Sequence, residues 1–224
     1  MTVGGRGVEW QHWRRGVFGD PYLVWHDGPD FTWLLTVAGD EPEVVARMLG
    51  AGIAERDPLA AQSIATLAGD GLAPPDAEAL LRAALPGASG TFKVRVAQAL
   101  HVLTGDEAWA EPVVSVLADG AHWGDRIDAA MALAGFAPTP GLVDALAAAV
   151  RERHYLVRYH AANTLLRYAG RRPDISDHPT LFGLICSGND DPEPDTEVGE
   201  QRAEAARRLS AAALSRQSVD PDRS

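Results

Sequence analysis

The sequence predicts an all-α fold, a right-handed α–α superhelix of about five helical hairpins, on two observations. First, a short helical signature recurs: Ala61, Ala97, Ala130, Ala162 and Ala206 are followed three residues later by Ile64, Leu100, Leu133, Leu165 and Leu209. Directly before them come Ala60, Val96, Ala129, Ala161 and Ala205, and four residues before them Asp57, Lys93, Arg126, Arg158 and Arg202. The steps between units are 36, 33, 32 and 44 residues, the range of helical-hairpin repeats. Second, an amphipathic segment precedes each signature, and Val45, Leu81, Val114 and Leu146 repeat the steps of 36, 33 and 32. One such hairpin cannot bury its apolar face alone, so neighbours must stack.

Taken in order, residues 1–40 form a cap segment that holds Trp10, Trp13, Trp25 and Trp33, four of the six tryptophans. Val8, Trp10, Trp13, Val17 and Phe18 mark an amphipathic helix, and Asp30 caps a second over 31–37. Tyr22 to Trp25 is the one stretch with strand-like alternation. The segment reads as a cover for the first repeat, which leaves an apolar face open, rather than as an aromatic ligand site. The array spans 41–214, with first helices over 43–54, 76–85, 110–117, 142–150 and 180–186. Pro42, Pro75, Pro112 and Pro140 stand near their starts, where a missing N–H costs nothing. Gly69, Gly105, Gly135 and Gly170 follow the second helices, where a left-handed residue ends a helix. Residues 215–224 read as a disordered tail.

The Ala-x-x-Leu cores with a preceding basic residue, clearest from Val157-Arg158 through Leu165, resemble the HEAT-repeat family. The likeness is strongest to its short bacterial, phycobilin-lyase-type repeats and covers about residues 40–214. It implies an extended surface offered to partners and says little about chemistry. It also implies that the aligned basic residues form a ladder with acidic groups of adjoining repeats, rather than a cationic groove.

Composition narrows the function. The 224 residues carry a net charge of −11, which argues against a phosphate-binding surface as the main business. Cys186 is the single cysteine, so no disulfide framework or thiolate zinc site is available, and a reducing compartment is expected. The opening MTVGGRG lacks the apolar core of a signal peptide and no segment approaches a membrane span, so a cytoplasmic protein is expected. Arginine outnumbers lysine 19 to 1, in keeping with a GC-rich bacterial coding sequence.

Four local patterns were weighed. Arg151, Arg153, Arg158, Arg167, Arg171 and Arg172, with His154 and His160, make the one basic cluster, read as a solvated face before an anion site. Asn189, Asp191, Glu193, Asp195, Glu197 and Glu200 follow calcium-loop spacing, but Pro194 stands where that loop needs glycine, so an acidic insertion is expected. The seven histidines show no metal-ligand spacing, and no His-Glu pair of the kind that HEAT-type hydroxylases use. No tryptophan is followed four residues later by aspartate, as in HEAT-like DNA glycosylases.

The expected function is therefore a non-catalytic protein–protein interaction module, a scaffold, adaptor or inhibitor, with no cofactor and no metal. Arg95, Gln98 and His101 in one repeat, with Arg158, Asn163 and Arg167 in another, are the expected partner-binding residues. The charge favours a basic protein partner over nucleic acid or membrane. The alternative is an enzyme or enzyme subunit of lyase or glycosylase type, with a pocket around Trp109, Trp123 and Asp125.

Overall fold

A computed structural model describes residues 4–186 and 196–217, and every regular element among them is helical. The chain divides into two compact units, Met1–Trp109 and Ala110–Ser224.

In the first unit, α1 (Gly4–Phe18), α2 (Pro21–Asp27) and α3 (Thr32–Asp40) precede two hairpins. These are α4 (Pro42–Ala54) with α5 (Pro58–Gly69), and α6 (Ala77–Ala84) with α7 (Gly90–Thr104). Second helix stacks on second helix, α5 on α7, and first on first, α4 on α6. Starts are set locally. Asp20 and Asp57 accept the backbone N–H of Tyr22 and Leu59, and each is followed by proline in the first turn. This corrects the strand-like reading of Tyr22 to Trp25: four alternating residues are outweighed by a capped, proline-started helix. Asp30 does cap, accepting from the Thr32 N–H at 2.8 Å.

The tryptophan-rich segment closes over the first hairpin. Trp10 is fully buried and donates its Nε1–H to Asp57 at 2.9 Å. Arg14 reaches the same carboxylate at 2.6 Å. A run of ring contacts, Trp10 to Trp13, Trp13 to Phe18 and Phe18 to Phe31, with centroids 5.5, 6.2 and 5.8 Å apart, links α1 to the start of α3. Gly52 on α4 makes room for this. A Cβ there would stand 2.8 Å from the Trp10 ring and 2.7 Å from Ala60, closer than carbon atoms tolerate.

The second unit holds three hairpins: α8 (Ala110–Asp119) with α9 (Trp123–Ala132), α10 (Pro140–Val150) with α11 (Tyr155–Tyr168), and α12 (Pro179–Cys186) with α13 (Thr196–Gln217). Here α9 packs on α11, α11 on α13 and α8 on α10. Helix α13 continues to Gln217, so residues 215–217 are helical rather than tail. Most of the acidic insertion, 189–195, lies outside the described residues, while Glu197 and Glu200 belong to α13.

All five aligned alanines, the Ile or Leu three residues later and the small residue before are buried. The first-helix series slips once: Val113, not Val114, takes the fully buried place in α8. Gly105 and Gly170 end α7 and α11 with φ of +68° each, as the sequence expects, whereas Gly69 stays helical with Gly71 supplying the positive φ of +72°, and Gly135 closes a 3-10 turn without a positive φ.

Buried polar links fix how α11 sits. Thr164 and Tyr168 donate their hydroxyls at 2.7 Å to the carbonyls of Ala130 and Leu133, at the end of α9. Arg158, with no exposed surface, donates Nε–H to Ile185 O at 2.8 Å and Nη1–H to Glu152 O at 2.9 Å and to Arg153 O. Its charge thus rests against the carbonyl end of α12, where the helix dipole favours a cation.

These fits set the cost of four substitutions. Gly52→Ala should lower unfolding free energy by about 1–3 kcal/mol through overpacking, and Trp10→Ala by about 3–5 kcal/mol, read by urea melts followed through circular dichroism. Arg158→Met should cost about 3 kcal/mol or more, because three carbonyls lose their donor. Arg158→Lys should recover little of it, since an ammonium cannot reproduce the planar fork.

Candidate binding surface

The aligned charged column comes first, because it decides which cations face solvent. Asp57 is held by Trp10 and Arg14, and Arg126 pairs with Glu152 of the next hairpin at 2.9 Å. Arg158 and Arg202 are buried and Lys93 is half-buried. The column therefore serves the interior. For Arg158 this corrects the expected partner-binding role: its guanidinium is enclosed and its donors are spent on backbone carbonyls.

The other expected residues separate by unit. On α7, Arg95 donates to the Gln98 carbonyl oxygen at 2.9 Å, and His101 Nδ1 lies 3.2 Å from Asp106 O with its Nε2 3.9 Å from Glu107. Steps of three residues place Arg95, Gln98 and His101 on one half-buried strip, with Val102 exposed beside it. In the second unit Asn163 is engaged structurally, its Oδ1 accepting from Ile175 N–H at 2.8 Å. The adjoining turn is pinned by Asp174, whose carboxyl is held below the usual range by the Ser176 hydroxyl and N–H, with Tyr159 adding a 3.2 Å bond. Arg167 is exposed. The basic cluster loses Arg158 to the interior and Arg172 to an ion pair with Asp177 at 2.9 Å, leaving Arg151, Arg153, Arg167 and Arg171 at the surface.

The residues named for an enzymatic pocket fall in both units. Trp109 is fixed within the first, donating to the Thr104 hydroxyl at 3.0 Å with the Arg82 guanidinium 4.8 Å above its ring. Trp123 and Asp125 start α9 in the second.

At that start lies a feature the sequence reading did not anticipate. The rings of Trp123 and His154 stack face to face, centroids 4.5 Å apart and planes 8° apart. His122 lies at 5.3 Å from Trp123 on a 28° tilt, and its Nδ1 accepts the Gly124 N–H at 3.1 Å, capping α9. Accepting through Nδ1 places the proton of the neutral ring on Nε2. The signal was present: His122 and His154 are 32 residues apart, the repeat step between these two hairpins, so both precede a second helix. Judged by ligand spacing they look scattered; judged by the repeat they are neighbours.

Around this stack three large apolar side chains face solvent. Trp123 and Met131 on α9 are 42 % and 53 % exposed, and Leu156 on α11 is 37 % exposed. Trp123 and Met131 are eight residues apart and share one side of the helix. Between the helices His160 faces Asp128. Burial and the Cys186 thiol push Tyr155 up to about 12, so its hydroxyl stays protonated at neutral pH. The surface thus carries an aromatic stack at the start of α9, an exposed methionine near its end, and Asp128 with His160 between them. Among the described residues, no group of three or more His, Cys, Asp or Glu side chains is placed to hold a metal, and no helix is long and apolar enough to cross a membrane.

Compared with known proteins, the chain matches no protein-family model, no curated protein and no solved structure.

Burial holds His160 below its ordinary 6.5, opposed by Asp128. The unfolded chain therefore takes this proton more readily than the folded one. The effect on stability is absent above about pH 6.5 and grows as the pH falls through that value toward the lowered folded pKa. Asp128→Asn should move the His160 titration still lower and sharpen the acid sensitivity. Following the imidazole resonances by NMR in both forms checks this; an unmoved titration would dissociate the two groups.

Proposed function

We propose that the chain is a HEAT-like repeat protein of the right-handed α–α superhelix class, acting as a cytoplasmic, non-catalytic interaction module. Its partner is a protein, gripped through the second helices of the hairpins. The observation that carries this reading is the exposed Trp123–His154 stack, with Met131 exposed further along α9 and Leu156 at the start of α11. Aromatic and methionine side chains left in water on a rigid helical face are what binding hot spots are made of. The half-buried strip of Arg95, Gln98 and His101 on α7 supplies polar contacts of the kind found at an interface rim. A net charge of −11 favours a basic partner by speeding encounter, which fits a scaffold, adaptor or inhibitor of such a protein.

The test is to purify the tagged protein from its native host, identify a stoichiometric partner, and titrate it against variants. Trp123→Ala should weaken binding by about thirtyfold or more, the loss of roughly 2 kcal/mol typical of a hot spot. Met131→Glu should also weaken it while leaving the melting temperature within a few degrees. Unchanged affinity in both variants would overturn this surface as the binding face.

A further inference from the structure

The first unit carries a second surface feature, a slot between the start of α4 and the segment joining α5 to α6. Pro42, Ala46, Leu72, Pro74 and Pro75 give it apolar walls, and Glu43 is its one charged lining residue. Its volume is about 220 Å³, below the roughly 300–1,000 Å³ of pockets that enclose small-molecule ligands. That is room for an anchoring side chain rather than for a cofactor. Proline stiffens both walls, so the slot stands ready without an ordering step. Leu72 remains 40 % exposed at its edge.

The charged residues of the slot and its rim are acidic, and Arg47, the next residue along α4, pairs with Glu9 at 3.7 Å. Residues 38–46 and 70–78, which form it and its rim, include Asp40, Glu41, Glu43, Asp70, Asp76 and Glu78 and no lysine or arginine. Glu78 is paired with Arg82 at 2.7 Å. The other five are exposed and meet no cationic side chain among the described residues. Glu43 gains from standing in the first turn of α4, where a helix favours an anion. Asp40 does the opposite: it is the last residue of α3, where the helix dipole disfavours negative charge, whereas Glu41 stands between the end of α3 and the start of α4. The fold gains nothing evident from the Asp40 carboxylate, whereas a docked cationic group would neutralise it.

We propose that this slot docks a basic segment of a protein partner. One aliphatic or methionine side chain of that segment fills the space between Pro42, Leu72 and Pro74-Pro75. Flanking lysines or arginines pair with Asp40, Glu41, Glu43 and Asp76. The inference rests on the reading of the chain as a partner-binding module, and it adds a contact chemically distinct from the aromatic face around Trp123.

A random peptide library displayed on phage is the probe, selected on the full-length protein. The enriched peptides should share an aliphatic or methionine residue flanked by basic ones. A synthetic copy of one should lose about tenfold or more in affinity against the double variant Asp40→Lys/Glu43→Lys, in line with charge pairs that govern specificity. Ala46→Trp, which fills the slot, should abolish binding; if that variant fails to fold, the exposed charge reversal carries the test alone. Trp123→Ala should leave this peptide's affinity unchanged. No enrichment, peptides without a basic bias, or binding that survives charge reversal would overturn the slot. Peptides that lose affinity with Trp123→Ala but not with the charge reversal would also overturn it, while leaving the second-helix surface standing.

Discussion

A charged side chain carried toward the interior at the start of each second helix is the constraint around which both units are organised. The repeat places it four residues before a buried alanine, and alanine lets neighbouring helices approach closely enough to enclose it. An enclosed charge must be matched or the fold is lost. Three of the repeats match it in three different ways. Asp57 draws in Trp10 and Arg14 from the N-terminal segment, Arg126 takes Glu152 from the next hairpin, and Arg158 uses carbonyls of a loop and a helix end. The elements that look peripheral, the first helix and the loop before α11, are thereby tied to the core.

Periodicity made the helices legible and left their rotation about their own axes undecided. The Ala-x-x-Leu step located every second helix, because a buried stripe is conserved in spacing even where residue identities change. From sequence, Arg158 and Asn163 read as facing a partner, since α11 is rich in polar residues and its apolar stripe does not fix its phase. Within α8, neighbouring valines at 113 and 114 made a one-residue slip invisible until packing chose between them. Tyr22 to Trp25 shows the same limit from the other side: a short alternation carries less information than an aspartate followed by a proline.

The candidate surface was hidden for a different reason. Stacking between Trp123 and His154 joins residues 31 apart, and nothing local to either marks the contact. It becomes visible only when one repeat is laid on the next. In a stacked array, side chains at equivalent positions of successive units are neighbours by construction, so the functional chemistry of such a protein is written across repeats rather than along them.

The fit of Trp10 against Gly52 bears on the order in which the chain assembles. Helix α1 is synthesised before the hairpin it covers, yet its indole hydrogen-bonds a carboxylate 47 residues further on and packs beside Ala60. Until α4 and α5 have paired, there is no recess for the ring and no partner for its N–H. Helix α1 therefore docks only after α4 and α5 have paired, and a nascent chain carries an uncovered tryptophan through that interval.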